Sequence, residues 1–139
     1  MIQRVQSLWL LLAAVFAFLT FKMPFYSGMK KDIVPPHVEL NSTSQIALLI
    51  LSSIVIILCF VAMVMFKNRK RQLTITIVNT IFSIVLIVVY FLQIPKFDPG
   101  SGTLSLSSLF TLFIPIFLVL AARGIWKDEK LIKSLDRLR

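Results

Sequence analysis

The chain has 139 residues, 58% of them hydrophobic and 15% charged, yet its net charge is +9. That balance excludes a disordered basic protein, which would be poor in the apolar residues that offset chain entropy. It also disfavours a soluble nucleic-acid binder, whose basic face needs no such apolar excess. Twelve Phe against four Gly point to a lipid solvent and one integral membrane domain over residues 1–139. A single Cys, Cys59, forbids an intrachain disulfide, and a single His, His37, leaves little for a metal centre or a catalytic triad. The expectation is a chain with no catalytic residues, no cofactor and no metal.

Four segments are apolar for long enough to cross a bilayer, which takes about 20 residues at a rise of 1.5 Å each. The first covers about 7–26, with an unbroken apolar run Leu8–Leu19 and Lys22 able to snorkel near its end. Thr20-Phe21-Lys22-Met23-Pro24-Phe25 offers no small-x-small cleavage site, so this segment is expected to stay as a signal anchor. The second covers about 46–66, after Asn41-Ser42-Thr43-Ser44, residues suited to a helix N-cap. The third covers about 73–94 and stops at Pro95. The fourth covers about 104–122, after the turn-forming Asp98-Pro99-Gly100-Ser101-Gly102. None alternates strictly as a barrel strand would. The fold class expected is therefore an all-α membrane protein, a four-transmembrane-helix bundle with an amphipathic cytoplasmic C-terminal helix.

Charge sets the orientation. Arg4, the turn residues Lys67, Arg69, Lys70 and Arg71, and the tail residues Arg123, Lys127, Lys130, Lys133, Arg137 and Arg139 fall on one side of four spans. Only Lys22, Lys30, Lys31 and Lys96 fall on the other. The positive-inside rule puts both termini in the cytoplasm. These basic residues read first as topology signals and anionic-lipid contacts, with a partner-docking patch as the sharper alternative.

No ionisable residue stands in the middle of a span, so no proton relay or charged-substrate site is visible. Milder polar groups do line up. In span three, Gln72, Thr76, Asn79, Thr80, Ser83 and Tyr90 fall within an arc of about 100° at helical periodicity. In span four, Ser108, Thr111, Pro115 and Ala122 share a face. Ala13, Ala17 and Thr20 in span one, and Ser52 and Cys59 in span two, supply small residues for close approach. Two readings of this polar face stand: packing between helices, or a small polar cavity centred on Asn79. Pro115 implies a kink, either static or a hinge.

The outer loop 27–45 reads as an extended, Pro-stiffened connection, and His37 with Glu39 is a weak two-ligand metal candidate. The second outer connection, 95–102, reads as a short hairpin. The tail, 123–139, keeps helical spacing: Ile125, Leu131, Ile132, Leu135 and Leu138 oppose Glu129, Lys130, Lys133 and Arg137. Asp128 and Arg139 intrude on the apolar arc and Trp126 falls outside it. Such a helix lies in the headgroup region with Trp126 as anchor, or docks a partner through Trp126, Lys127, Lys130, Lys133, Arg137 and Arg139.

The opening Met1-Ile2-Gln3-Arg4-Val5-Gln6-Ser7-Leu8-Trp9-Leu10-Leu11-Leu12-Ala13 and the ending from Ala121-Ala122-Arg123-Gly124-Ile125-Trp126 to Arg139 resemble the domain-of-unknown-function 4293 family. The resemblance implies a small four-span inner-membrane protein of Bacteroidetes-type bacteria and no activity to carry over. Three functions compete. The leading expectation is a non-enzymatic accessory or scaffold subunit of a larger membrane complex, with the bilayer as its surroundings and no nucleic-acid partner. The alternative is a small transporter or channel, as a homo-oligomer, using the polar face of span three. The third, a membrane enzyme built on His37, Glu39 and Asp98, has no recognisable constellation.

Overall fold

A computed structural model describes residues 2–29, 37–97 and 100–136. Four helices follow the apolar segments. Helix α1, Ile2–Leu19, ends well before residue 26, the expected limit of the first span. Pro24 accounts for this, since the residue before a proline is disfavoured in helical geometry. The chain turns through Thr20–Met23, with the Met23 N–H bonding the Leu19 carbonyl, and Tyr26 already belongs to a strand.

Helix α2, Ile46–Val64, passes through a 3-10 turn, Met65–Lys67, into α3, Arg69–Gln93. Asn68 caps α3, its side-chain oxygen accepting from the Arg71 N–H at 3.3 Å. The cap expected at residues 41–44 is displaced. Gln45 is the N-cap of α2 and makes no side-chain capping bond. Asn41 instead closes a local turn, its Oδ1 accepting from the Thr43 N–H at 3.1 Å and from the Thr43 and Ser44 hydroxyls. Ser42 turns inward.

Helix α4 corrects the expected separate tail helix. It runs unbroken from Ser108 to Asp136, with Pro115 inside it, so the tail continues the fourth apolar segment as one rod of 29 residues. At 1.5 Å per residue it is about 43 Å long, beyond the ~30 Å of a hydrocarbon core. Three helical stretches, Ile46–Lys67, Arg69–Lys96 and Ser108–Ile132, are long and apolar enough to cross a membrane, with mean hydropathies of 3.1, 2.5 and 2.0. Val5–Leu19 in α1 is apolar but shorter.

The helices pack in a ring, each against its sequence neighbours, with α1 closing onto α4. Leu10, Ala13, Ala14 and Ala17 of α1 meet Val55, Cys59 and Ala62 of α2 and Ile114, Leu118 and Ala121 of α4. The alanines allow the close approach, and aromatic rings fill the α1–α4 seam. Trp9 stacks on Phe117 at 5.7 Å, and Phe16 lies 5.3 Å from both Phe110 and Phe117.

One end carries a small sheet that hydropathy did not foretell, in the order β2-β1-β3. Strand β1, Tyr26–Met29, pairs antiparallel with β2, His37–Leu40, in the register Tyr26↔Leu40 to Met29↔His37. It also pairs with β3, Thr103–Leu104, through Tyr26↔Leu104 and Ser27↔Thr103. Gly102 sits under the Tyr26 ring, which a Cβ there would strike. Below the sheet, Phe25, Tyr26, Leu40, Leu48, Leu86, Tyr90 and Phe97 form a second core. The loop residues 30–36, Asp98 and Pro99 lie outside the described residues.

Candidate functional site

Beside the apolar core, the helix interior holds a set of buried polar side chains. On α3, Gln72, Thr76, Asn79, Ser83 and Tyr90 are buried, and Thr80, at the edge of the arc, is half-buried. From α4, Ser108 and Thr111 are buried as well. Most α3 hydroxyls are satisfied by their own helix. Thr76 donates to the Gln72 carbonyl at 2.8 Å, Thr80 to Thr76 at 2.9 Å and Ser83 to Thr80 at 2.7 Å. Such back-bonding removes the donor from any path between helices.

Asn79 behaves differently. Its Nδ2 crosses to α2, donating to the Val55 carbonyl at 3.2 Å and to Cys59 Sγ at 3.1 Å. The reverse amide orientation would set two oxygens against each other. Its Oδ1 is buried without a partner among the described residues.

The end holding the start of α1, the start of α3 and the last turns of α4 carries a second polar group. Gln6 on α1 donates through Nε2 to Asp128 Oδ2 on α4 at 2.7 Å. Its Oε1 accepts from Arg69 Nη1 on α3 at 3.2 Å, and the same nitrogen reaches Gln72 Oε1 at 3.1 Å. One amide therefore mediates between a carboxylate and a guanidinium and joins three helices. Gly124 makes room for it, because a Cβ there would lie 2.8 Å from Gln6 Cγ. This explains the acid on the tail's apolar arc: Asp128 is 8% exposed and faces inward. Of that arc, Ile125 is buried while Leu131 and Ile132 stay exposed.

At the sheet end a line of hydroxyls does the joining. Thr20 Oγ1 donates to the Ala17 carbonyl at 2.7 Å. With one proton per hydroxyl, Ser42 must then donate to Thr20, and Tyr90 to Ser42, each at 2.7 Å. Phe25 stacks on the Tyr90 ring at 4.5 Å. Nearby, Gln45 Nε2 donates to Gln93 Oε1 at 2.8 Å beside a hollow of about 110 Å³ that Glu39 and Lys96 also line. His37 and Glu39 are exposed on β2.

Among the expected docking residues, Trp126, Lys127 and Lys130 are exposed on the last turns of α4, and the Lys130 amine lies 5.8 Å from the centre of the Trp126 ring. Arg137, Arg139 and the Lys133 side chain lie outside the described residues. The Gln6–Asp128 pair, 122 residues apart, escaped sequence reasoning. The misplaced acid at 128 was its visible trace.

No curated protein and no solved structure gives a significant match to the chain. One family model, described as Domain of unknown function (DUF4293), matches residues 2–138, nearly the whole length. The chain belongs to that family.

Proposed function

We propose that this chain is a four-span protein of a bacterial inner membrane. In this reading it works as a non-enzymatic accessory or scaffold subunit that presents the basic end of α4 to a partner. The observation that supports insertion is an inversion of polarity. Large apolar side chains point outward, with Ile57 at 58%, Ile81 at 57% and Leu92 at 65% exposure, while Ser52, Thr76, Asn79 and Ser83 are buried. Water would reverse that pattern, and lipid favours it. Helix α1, at 18 residues about 27 Å long, approaches the ~30 Å needed of a fourth span.

In this reading the end joined by Gln6, Arg69 and Asp128 faces the cytoplasm, because eleven of the fifteen basic residues belong to that side. Trp126 then sits near the interface, and Lys127, Lys130 and Leu131 stand beyond it as a continuation of the rod. Alkaline phosphatase fused after Arg71 is expected to be inactive, and activity there would overturn the topology. Tagged protein drawn from native membranes in mild detergent is expected to bring down a specific partner. Recovery of the chain alone would remove the scaffold reading.

A transporter using the polar face of α3 draws on one observation, the unpartnered Asn79 Oδ1, an acceptor that a bound donor would satisfy. The back-bonded hydroxyls beside it favour packing instead.

A further inference from the structure

One face of α4 changes character along its length. Ile116, Val119 and Leu120 are followed on the same stripe by Arg123, Lys127 and Lys130, at the 100° per residue of a helix. The apolar part lines a groove of about 340 Å³ shared with Thr80 and Ile84 of α3, with Pro115 at one end and Arg123 at the other. Thr80 offers this groove no free proton, because its hydroxyl donates to the Thr76 carbonyl.

Beyond Arg123 the stripe runs on into a second hollow, about 320 Å³, bounded by Lys127, Lys130, Leu131 and Ser134. No hydrogen bond or ion pair to Arg123 or Lys127 forms among the described residues, so both charges face outward uncompensated. One turn past Arg123, Asp128 is tied through Gln6 to Arg69. The basic part of the stripe therefore lies at the same end as Lys70 and Arg71.

An apolar channel that opens onto outward-facing cations complements an amphiphile with an acyl tail and an anionic head. We infer that this face of α4 binds one anionic phospholipid, an acyl chain in the groove beside Pro115 and its phosphate between Arg123 and Lys127. The proposal rests on the membrane reading above. A basic pocket between spans at the cytoplasmic surface is the kind of place where anionic headgroups collect. Arg suits it because its fork can take two phosphate oxygens together. A second copy of the chain fits less well, since its lipid-facing surface would bring apolar side chains, not anions, to the three cations.

The test uses the full chain, purified from membranes and reconstituted into nanodiscs of mixed phosphatidylglycerol and phosphatidylcholine, with bound lipid counted by native mass spectrometry. One phosphatidylglycerol is expected to stay bound in preference to phosphatidylcholine. Arg123→Ala is expected to lower that preference about fivefold, and Arg123→Lys to restore part of it. Val119→Trp, which fills the groove from an exposed position, is expected to displace the lipid without touching a charge. Equal retention of the two lipids, unchanged retention in both Arg123→Ala and Val119→Trp, or a dimer carrying no lipid would overturn the inference. Recovery of the chain from the soluble fraction would instead overturn the membrane reading itself.

Discussion

At the sheet end, Tyr90, Ser42 and Thr20 pass hydrogen bonds in one direction down to a helix carbonyl, under a three-stranded backbone ladder. At the terminal end, the Gln6 amide holds a carboxylate and a guanidinium, with Gln72 sharing the guanidinium, and the sheet lies at the other end. The first arrangement is neutral and is backed by stacked rings, Phe25 on Tyr90 and Tyr26 edge-on to Phe97 at 5.1 Å. The second is charged, and each bond in it is charge-assisted. Removing a group should therefore cost packing at one end and electrostatic compensation at the other.

Tyr90→Ala tests the sheet end and carries the largest expected effect. It removes a fully buried ring together with the donor to Ser42, and large aromatic truncations cost about 3–5 kcal/mol. Tyr90→Phe keeps the ring and should cost only about 1–2 kcal/mol, the price of an unfilled acceptor. Thermal unfolding in detergent should rank wild type, Phe and Ala in that order. If Phe proved as damaging as Ala, the hydroxyl line and not the ring would hold this end.

Asp128→Ala tests the other end. It leaves Gln6 Nε2 without an acceptor and Arg69 without its nearby anion, at about 1–3 kcal/mol. Asp128→Asn keeps an acceptor in place but also removes the anion, so it should recover only part of that loss. A loss as large for Asn as for Ala would mean that charge, not the hydrogen bond, matters. Gly124→Ala probes the same spot sterically, pushing a methyl onto Gln6 Cγ for about 1–3 kcal/mol. Combining it with Gln6→Ala should give less than the sum of the two, because the clash and the bond share one side chain.

The two ends also differ in how far they could be read in advance. Local periodicity located the apolar segments and most of the buried face of α3, although Thr80, grouped with that face, is only half-buried. Pairings between distant residues leave no such period. The strands are two to four residues long, too short for alternation to register, and Tyr26 was absorbed into an apolar segment for that reason. Asp128 was visible as an anomaly, but its partner on α1 became apparent only once α1 and α4 were side by side. The tail's amphipathic pattern misled in one respect, since helical spacing cannot distinguish a new helix from the continuation of an old one.

The middle of the ring offers the smallest expected change and the clearest separation of functions. Asn79 makes two side-chain bonds from the α3 polar face to α2, to the Val55 carbonyl and to Cys59 Sγ, and the Val55 carbonyl keeps its own helical partner when they are lost. On the membrane reading, Asn79→Leu gives up one bond worth about 0.6–2 kcal/mol and a weaker one to sulfur, and it also removes the buried, unpartnered Oδ1. These contributions oppose each other, so unfolding in detergent should shift by no more than about 1 kcal/mol in either direction. If the polar face only packs, Asn79→Leu should also leave partner recovery unchanged. If Oδ1 receives a ligand, the same variant should abolish the protein's cellular role while folding normally. That pairing of intact stability with lost function would favour the transporter over the scaffold.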